Sequence, residues 1–357
     1  MSILNRINFP IILSSLLLVS FGILVIYSSS KELALQQLIF TSVGMTFFLF
    51  ISQFEVKFIK SLISHLYIIV TLLLILVLFL GVETRGSIRW IPLGIFNIQP
   101  SEFAKPILIL FLAKFWSEHL PNWKSIFESL TWSTPLILLI FKQPDLGSTL
   151  TLVAIWFGML LAARISLKKL IILTLIILCM FPLSWIFLHD YQRQRVLSFL
   201  APESDPLGRG YNVIQSTIAV GSGEILGRGL GQGTQSRLQF LPEFRTDFIF
   251  ASIAEEMGFV GSLIILSIYL FLFSYCLIIC KKKYDLFNVL VIFGVVSMLL
   301  FQFFVNIGMN VGLLPITGIT LPLISYGGSS LIATLFSLGL VSSIANSRKR
   351  IDPNEFS

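Results

Sequence analysis

One aspartate stands where a polar segment of the chain becomes an apolar helix. Asp247 ends the run Phe240-Leu-Pro-Glu-Phe-Arg-Thr-Asp247 and precedes Phe248-Ile-Phe250. A carboxylate at this point suits two compatible roles. It can cap the helix N-terminus, or it can act as a general base, because a helix N-terminus stabilises the ionised form that a base needs. Asp247 is therefore the candidate catalytic residue.

Further ionisable residues stand at the beginnings of other apolar segments. Glu102 and Lys105 are three residues apart, the spacing of helix neighbours, so we expect a mutual salt bridge that also lines a polar cavity. Asp145 lies in Gln143-Pro-Asp-Leu-Gly147, where it either caps the following helix or points into an outward-facing cavity. All three are candidates for binding a polar substrate.

Arginines gather in two places. The segment 189–247 has no lysine but contains Arg193, Arg195, Arg209, Arg228, Arg237 and Arg245. Arginine grips phosphate or carboxylate oxygens with a planar donor fork, although six acidic residues in the same segment leave surface ion pairs as the alternative. Arg85 and Arg89 both precede Trp90 in a second segment. They favour an anionic headgroup as ligand. Snorkelling or pairing with Glu83 is the alternative there.

Other chemistry has little support. Cys179, Cys276 and Cys280 lie inside apolar runs and are expected to be packing residues. The three histidines lack metal-ligand spacing, so a zinc or iron site has little support. The glycine-rich run 221–233 matches no nucleotide-binding pattern, and its glycines are expected to let a loop approach lipid or substrate closely. Glu255 and Glu256 are functional candidates because carboxylates are costly at membrane depth, with ion pairs to a neighbouring helix as the alternative.

The elements that must position these residues are membrane helices. The chain is 55% hydrophobic and 12% charged, with repeated apolar runs of about 20 residues, the length that crosses a bilayer. We predict an all-α, polytopic protein of about ten transmembrane helices. The predicted spans are 8–28, 34–53, 63–81, 102–117, 130–141, 147–163, 169–188, 248–279, 287–310 and 326–346. The cluster at Gln143-Pro-Asp is either a tight outer turn or a kink in one bent helix.

Lysine and arginine in the short loops predict the orientation, since these residues accumulate on the cytoplasmic side. With ten spans, both termini are cytoplasmic and the insert 189–247, between the seventh and eighth spans, faces outward. The chain is predicted to be a single membrane domain, 1–357, with a short cytoplasmic tail, 347–357. The insert has too few spaced apolar residues for its own core and must fold back on the helices.

Five segments, taken together, resemble the SEDS proteins of bacterial cell-wall synthesis, and the likeness spans nearly the whole chain. They are Arg85-Gly-Ser-Ile-Arg-Trp-Ile, Gln99-Pro-Ser-Glu-Phe-Ala-Lys105, Lys142-Gln-Pro-Asp-Leu-Gly147, the run from Gly231 to Phe250, and Pro322-Leu-Ile-Ser-Tyr-Gly-Gly-Ser-Ser330. Within the family, the Leu-Pro-Glu-x-x-Thr-Asp form is similar to the RodA, or elongation, branch rather than the FtsW, or division, branch.

The resemblance implies a peptidoglycan glycosyltransferase that polymerises lipid II at the outer face of the bacterial cytoplasmic membrane. Asp247 would be the base and undecaprenyl diphosphate the leaving group. The implied substrate-binding residues are Arg85, Arg89, Glu102, Lys105, Asp145, Arg209, Glu243, Arg245 and Ser325. Mg²⁺ or Mn²⁺ is a candidate for sharing the charge neutralisation, although the sequence contains no obvious ligand cage.

The resemblance also implies a class B penicillin-binding protein as partner, together with other membrane proteins of the elongation complex. Three alternatives stay open. The first is a lipid II flippase, the second is a division-type member of the same family, and the third is a noncatalytic scaffold for a synthase.

Overall fold

Ten long helices form the body of the protein. The computed structural model describes residues 8–84, 87–92, 97–188, 190–208, 210–238, 240–280 and 285–346. The long helices each have 17 residues or more and coincide with the ten predicted apolar segments. They are α1 (Phe9–Ser29), α2 (Lys31–Gln53), α3 (Val56–Leu80), α4 (Pro100–Glu118), α5 (Trp123–Lys142), α6 (Leu146–Ala162), α7 (Leu167–Ser184), α11 (Ile249–Cys280), α12 (Leu286–Asn310) and α13 (Gly328–Asn346).

Length and hydropathy explain why these segments are helices. In lipid every backbone N–H and C=O must be satisfied internally, which a helix does within one segment. By length and composition, six of the described helices can cross a membrane: α1, α2, α3, α11, α12 and α13. The helix α6 is apolar but shorter. Among these six helices, the share of the apolar window that is buried inside the protein ranges from 22% for α2 to 72% for α13. Hence α13 lies inside the bundle and α2 at its periphery.

Two helices begin earlier than the apolar pattern predicts. Helix α3 begins at Val56 rather than at 63, and α5 begins at Trp123 rather than at 130. The first turns of both helices carry polar residues, which an apolar count leaves out. In α5 the side chain of Asn122 accepts a hydrogen bond from the Ser125 N–H at 2.8 Å and so caps the helix.

The cluster at Gln143 to Asp145 is a turn between two helices, which decides between the two predicted alternatives. Helix α5 ends at Lys142 and α6 begins at Leu146. The Gln143 side chain donates to the Leu74 carbonyl on α3 at 2.9 Å. This hydrogen bond holds the turn against α3, and Asp145 precedes the first residue of α6.

The all-α prediction was incomplete, because the segment after α3 contains a small antiparallel sheet. Its strands are β1 (Val82–Thr84), β2 (Ser87–Pro92) and β3 (Asn97–Ile98), in the order β1-β2-β3. Ile88, Trp90 and Ile91 are residue types that favour strands, but the run is too short to register beside apolar segments of about 20 residues. The sheet holds Arg89 above the bundle end.

The insert is itself largely helical and folds back on the bundle, as predicted. It contains α8 (Asp190–Leu200), α9 (Tyr211–Ser222) and α10 (Thr234–Arg237). Its apolar residues share a second core with the ends of α11 and α12. That core comprises Val213, Ala219, Leu241, Phe244, Phe248, Ala251, Met309 and Ile316.

The glycine-rich run packs against the backbone of α11 where that helix is broken. Gly258 has φ 67° and ψ −163°, which divides α11 into two helical pieces. The N–H groups of Arg228 and Gly229 donate to the carbonyls of Glu255 and Glu256, both at 3.0 Å. In the other direction, the N–H of Phe259 donates to the Glu224 carbonyl at 2.9 Å. The run thus satisfies backbone groups that the break leaves open.

Close backbone approach explains the glycines of this run. A Cβ on Gly223 would overlap the Ala254 carbonyl, and one on Gly227, which has φ +80°, would overlap the Glu256 carbonyl. The predicted close approach is therefore made to the protein's own helix.

Candidate functional site

Arg89 and Asp145 meet at one end of the bundle. Arg89 Nη1 lies 3.7 Å from Asp145 Oδ1, and Arg89 Nη2 also donates to the Pro144 carbonyl. Asp145 is only 4% exposed and caps α6, since Oδ1 accepts from the Ser148 N–H at 3.1 Å. Its Oδ2 accepts from Gln99 Nε2 at 3.0 Å. Asp145 thus both caps α6 and faces a polar cluster. Its carboxylate is an anionic partner of Arg89 within the protein.

The predicted salt bridge between Glu102 and Lys105 is present. Lys105 Nζ lies 2.6 Å from Glu102 Oε1, and both side chains are buried in the first turns of α4. A buried pair of this kind is costly to break, because removal of one partner leaves an uncompensated charge. The pair lies on the same helix as Ser101, whose hydroxyl donates to Asp145 Oδ2 at 3.4 Å. The two charge pairs therefore belong to one polar cluster.

The backbone around Asp247 is held by two buried asparagines of α12. Asn306 Nδ2 and Asn310 Nδ2 donate to the Asp247 carbonyl at 2.9 and 3.0 Å. Asn310 Oδ1 accepts from the Ala251 N–H at 3.0 Å, within the first turn of α11. These bonds position the residue that precedes α11, and the Asp247 side chain remains partly exposed. Sequence inspection missed both asparagines, which lie in a predicted span and carry the i, i+4 spacing of one helix face.

Glu243 and Arg245 shape the turn before Asp247. Glu243 has a positive φ of 55°, and its Oε2 accepts from Thr246 Oγ1 at 3.0 Å. The Arg245 guanidinium stacks on Phe244 at 4.4 Å and donates through Nε to Ser29 Oγ at 2.8 Å. Burial lowers the pKa of Arg245, and the neighbouring Glu243 carboxylate opposes that shift. Both side chains stabilise the turn that presents Asp247.

Ser325 braces the same turn from the segment between α12 and α13. Its hydroxyl donates to the Thr246 carbonyl at 2.7 Å and accepts from the Leu321 N–H at 2.8 Å. The Ser325 carbonyl accepts from Gln37 Nε2 of α2 at 3.1 Å. Ser325 is 5% exposed, so its contacts indicate a positioning role.

The segment 311–327, which we call the α12–α13 loop, connects the Asp145 cluster with Asp247. At one side a Cβ on Gly147, two residues after Asp145, would lie 3.0 Å from the Thr317 carbonyl. At the other side a Cβ on Gly318 would lie 3.7 Å from Asp247 Oδ2. Because Thr317 and Gly318 are adjacent, Gly147 and Asp247 both lie against the same short stretch of this loop.

Gly318 also faces an arginine of the insert. A Cβ at this position would lie 3.4 Å from Arg195 Nη1, and the same nitrogen lies 3.5 Å from the Ile316 carbonyl. The sequence identified Arg195 only as one of six arginines of the insert. That signal did not predict that Arg195 lies beside Gly318 and Asp247.

The Glu255 carboxylate holds α10, which follows the glycine-rich run, and the Glu256 carboxylate contacts α1. Glu255 Oε1 accepts from the Gln235 N–H at 2.9 Å, and its Oε2 accepts from the Ser236 N–H at 3.2 Å. Both Glu256 oxygens accept from Ser28 Oγ at 3.0 Å. Among the described residues neither glutamate forms a salt bridge with a neighbouring helix, so that predicted alternative was wrong.

Two predicted site residues, Arg85 and Arg209, lie outside the described residues. Over the described ranges no group of three or more His, Cys, Asp or Glu side chains comes together as a metal site.

Comparison with known proteins identifies the family. The cell cycle protein family of FtsW, RodA and SpoVE matches residues 7–350. The chain belongs to this family. It is 40% identical to the peptidoglycan glycosyltransferase MrdB of Escherichia coli K12 over 313 residues, which cover 87% of this chain and 85% of MrdB.

Two solved structures of similar proteins cover almost all of the chain. One, from work on the coordination of polymerization and crosslinking by a peptidoglycan synthase complex, has a TM-score of 0.83 and 33% identity, with 96% of this chain and 99% of that one covered. The rod shape determining protein RodA of Thermus thermophilus has a TM-score of 0.72 and 28% identity, with 97% and 98% covered. The FtsW/RodA/SpoVE fold therefore extends through the whole helical body described above.

Proposed function

We propose that this protein is a peptidoglycan glycosyltransferase that polymerises lipid II into glycan strands at the outer surface of the bacterial cytoplasmic membrane. The observation that carries the proposal is the convergence of Asp145 and Asp247 on the α12–α13 loop, in a chain 40% identical to a protein named for this activity. The similarity to RodA supports a role in cell elongation.

The chemistry is a single displacement with Asp247 as general base. The Asp247 carboxylate removes the proton from the 4-hydroxyl of the acceptor N-acetylglucosamine. That oxygen attacks C1 of the donor N-acetylmuramic acid, and undecaprenyl diphosphate leaves with the electrons of the broken C1–O bond. One displacement converts the α-linked donor into a β-linked product. The asparagine contacts to the Asp247 backbone support this role, because a base must be held within hydrogen-bond reach of its proton.

A diphosphate leaving group needs neutralisation of negative charge more than it needs a general acid. We assign Arg85, Arg89, Arg209 and Lys105 to substrate binding, with Glu102 and Asp145 as the buried carboxylates that orient Lys105 and Arg89. We assign Glu243, Arg245 and Ser325 to the turn that presents Asp247 to the substrate. Mg²⁺ or Mn²⁺ is a candidate for sharing the neutralisation.

The membrane arrangement follows from the charge distribution. We propose that all ten long helices cross the membrane, with both termini in the cytoplasm. The insert and the small sheet then face outward, on the side where lipid II is polymerised. The lysines at the beginning of α3, Lys57 and Lys60, and those in the short segment 281–283 support this orientation.

We propose a class B penicillin-binding protein as partner, which cross-links the new glycan, together with other elongation-complex membrane proteins. The similarity to a chain from a peptidoglycan synthase complex supports this partnership.

The test is polymerisation of labelled lipid II by purified protein, alone and with its cognate transpeptidase. Wild type should make glycan polymer, and Asp247→Asn should make none. Asp285→Asn is the matched control, since Asp285 is an exposed aspartate that precedes α12 and caps no N–H with its side chain. Equal polymer from wild type and Asp247→Asn would remove Asp247 as the base.

The same preparations distinguish the other candidate functions. A flippase would move fluorescent lipid II across proteoliposomes even with Asp247 replaced, and wild type would make no polymer. A scaffold would tolerate replacement of both Asp247 and Arg89. A division-type member would restore septation rather than elongation in a complementation assay.

A further inference from the structure

The space beside Gly318 is bounded by one cation and one carboxylate. Gly318 has φ +76°, and an atom placed where its side chain would begin lies 3.4 Å from Arg195 Nη1 and 3.7 Å from Asp247 Oδ2. A reacting atom at this point would contact a donor and a base at the same time. A displacement reaction requires such a point, which is near both a base that takes the proton and a cation that stabilises the developing negative charge.

We propose that Arg195 binds the diphosphate of the lipid-linked donor, and that Gly318 lacks a side chain because the reacting groups occupy that space. This inference rests on the proposed glycosyltransferase function and specifies which cation stands beside the leaving group. A guanidinium is suited to the task because its planar fork can hold two phosphate oxygens.

The charge flow supports this placement. As the acceptor oxygen bonds to C1 and its proton passes to Asp247, the C1–O bond to phosphate breaks and its electron pair moves onto the diphosphate. Negative charge therefore grows on the side of the reacting centre away from the base. Arg195 and Asp247 reach the Gly318 space from separate elements, α8 and the segment just before α11, so the cation and the base can contact different oxygens of the reacting groups.

Other cations of the site have contacts that anchor them elsewhere. Arg89 is held by Asp145 and Pro144, and Lys105 by Glu102. Arg193, two residues from Arg195, reaches back to Asp190 and to carbonyls at the end of α7. Arg195 is held at the α12–α13 loop, where its Nη1 donates to the Ile316 carbonyl at 3.5 Å, beside the Gly318 space.

The first test separates phosphate binding from simple bracing of that loop. In the lipid II assay with the transpeptidase present, inhibition by undecaprenyl diphosphate is compared with inhibition by undecaprenyl monophosphate. Arg195→Gln should raise the inhibition constant of the diphosphate by roughly 10- to 100-fold, the size expected for a lost charged hydrogen bond, and that of the monophosphate by much less. Arg195→Lys should restore part of the difference. Arg193→Gln, an arginine on the same helix, is the control and should leave both constants unchanged.

If Arg195→Gln lowered turnover but left the ratio of the two inhibition constants as in wild type, Arg195 would be a brace and the proposal would be overturned. Lack of polymer from the wild type would instead refute the proposed function itself. The two failures are therefore distinguishable within one experiment.

The second test fills the space. Gly318→Ala should abolish most turnover, whereas Gly312→Ala should not, although both glycines belong to the α12–α13 loop and both have φ +76°. The backbone strain is thus matched. A Cβ on Gly312 would meet Thr217 of α9 instead of Arg195 and Asp247. Equal losses in the two variants, with equal recovery of folded protein by size exclusion, would refute the proposed role of the Gly318 space.

Discussion

Replacement of Glu255 by glutamine should release α10, the short helix that directly follows the glycine-rich run, from α11. Glu255 is fully buried, and its two oxygens serve two different backbone donors, the N–H groups of Gln235 and Ser236. A carboxylate can accept at both oxygens, whereas a glutamine side chain has one acceptor oxygen and one NH₂ group. In the Glu255→Gln variant one of these backbone N–H groups therefore faces a donor.

The magnitude follows from that count. Loss of one hydrogen bond to a charged group, with its donor left buried, costs about 2 kcal/mol. If local opening of α10 controls hydrogen exchange, exchange at residues 235 and 236 should become roughly 30-fold faster, since 1.4 kcal/mol is tenfold. Helix α10 would then open while the helical body stays folded.

Hydrogen exchange with mass spectrometry on the detergent-solubilised protein measures this directly. Peptides that contain residues 234–237 should lose protection, and peptides from α12 and α13 should not. Glu224→Gln is the matched control, because Glu224 lies in the adjoining glycine-rich run and is exposed. Unchanged exchange at residues 235 and 236 in Glu255→Gln would show that the carboxylate does not hold α10, and the reasoning would fail.

Three further predictions concern the polar clusters. Lys105→Met should lower the free energy of unfolding by about 3–5 kcal/mol, because the buried Glu102 charge is left without its partner. Thermal melting should show that the double variant Lys105→Met, Glu102→Leu recovers much of this loss. Asp145→Ala should cost about 1 kcal/mol or more through the lost cap of α6, and exchange of the first-turn amides of that helix reports it. Asn310→Ala should lower the turnover number more than it changes the KM for lipid II, since it frees the Asp247 backbone without removing a substrate contact; a proportional rise in KM would contradict this.

Apolar length predicted the helical body well because the bilayer imposes it. A helix that crosses the membrane must satisfy its own backbone hydrogen bonds and span about 30 Å, and both demands leave a strong pattern in the residues. The predicted spans began too late at α3 and α5, because the first turns of both helices carry polar residues that an apolar count leaves out. The sheet near Arg89 was missed for a related reason, since strands of two to six residues carry a weak signal.

The candidate site was predicted unevenly. Charged residues at helix beginnings, such as Asp145, Glu102 and Lys105, were identified because charge is rare in this chain, and the predicted Glu102 to Lys105 contact depends only on local helix geometry. The partnership of Arg89 with Asp145 joins residues 56 positions apart and has no local signal. Which cation meets which carboxylate is a property of the packing.

The glycines show the same limit more sharply. A run of glycines indicates close approach to something, but the backbone it approaches lies in α11, where Gly258 breaks the helix. The break and the run explain each other: the broken helix exposes backbone donors and acceptors, and the run supplies their complements without side chains in the way. A sequence contains both halves of that contact, but only the fold brings them together. Gly318 follows the same logic, because its lack of a side chain acquires meaning only once Arg195 and Asp247 are seen on either side of it.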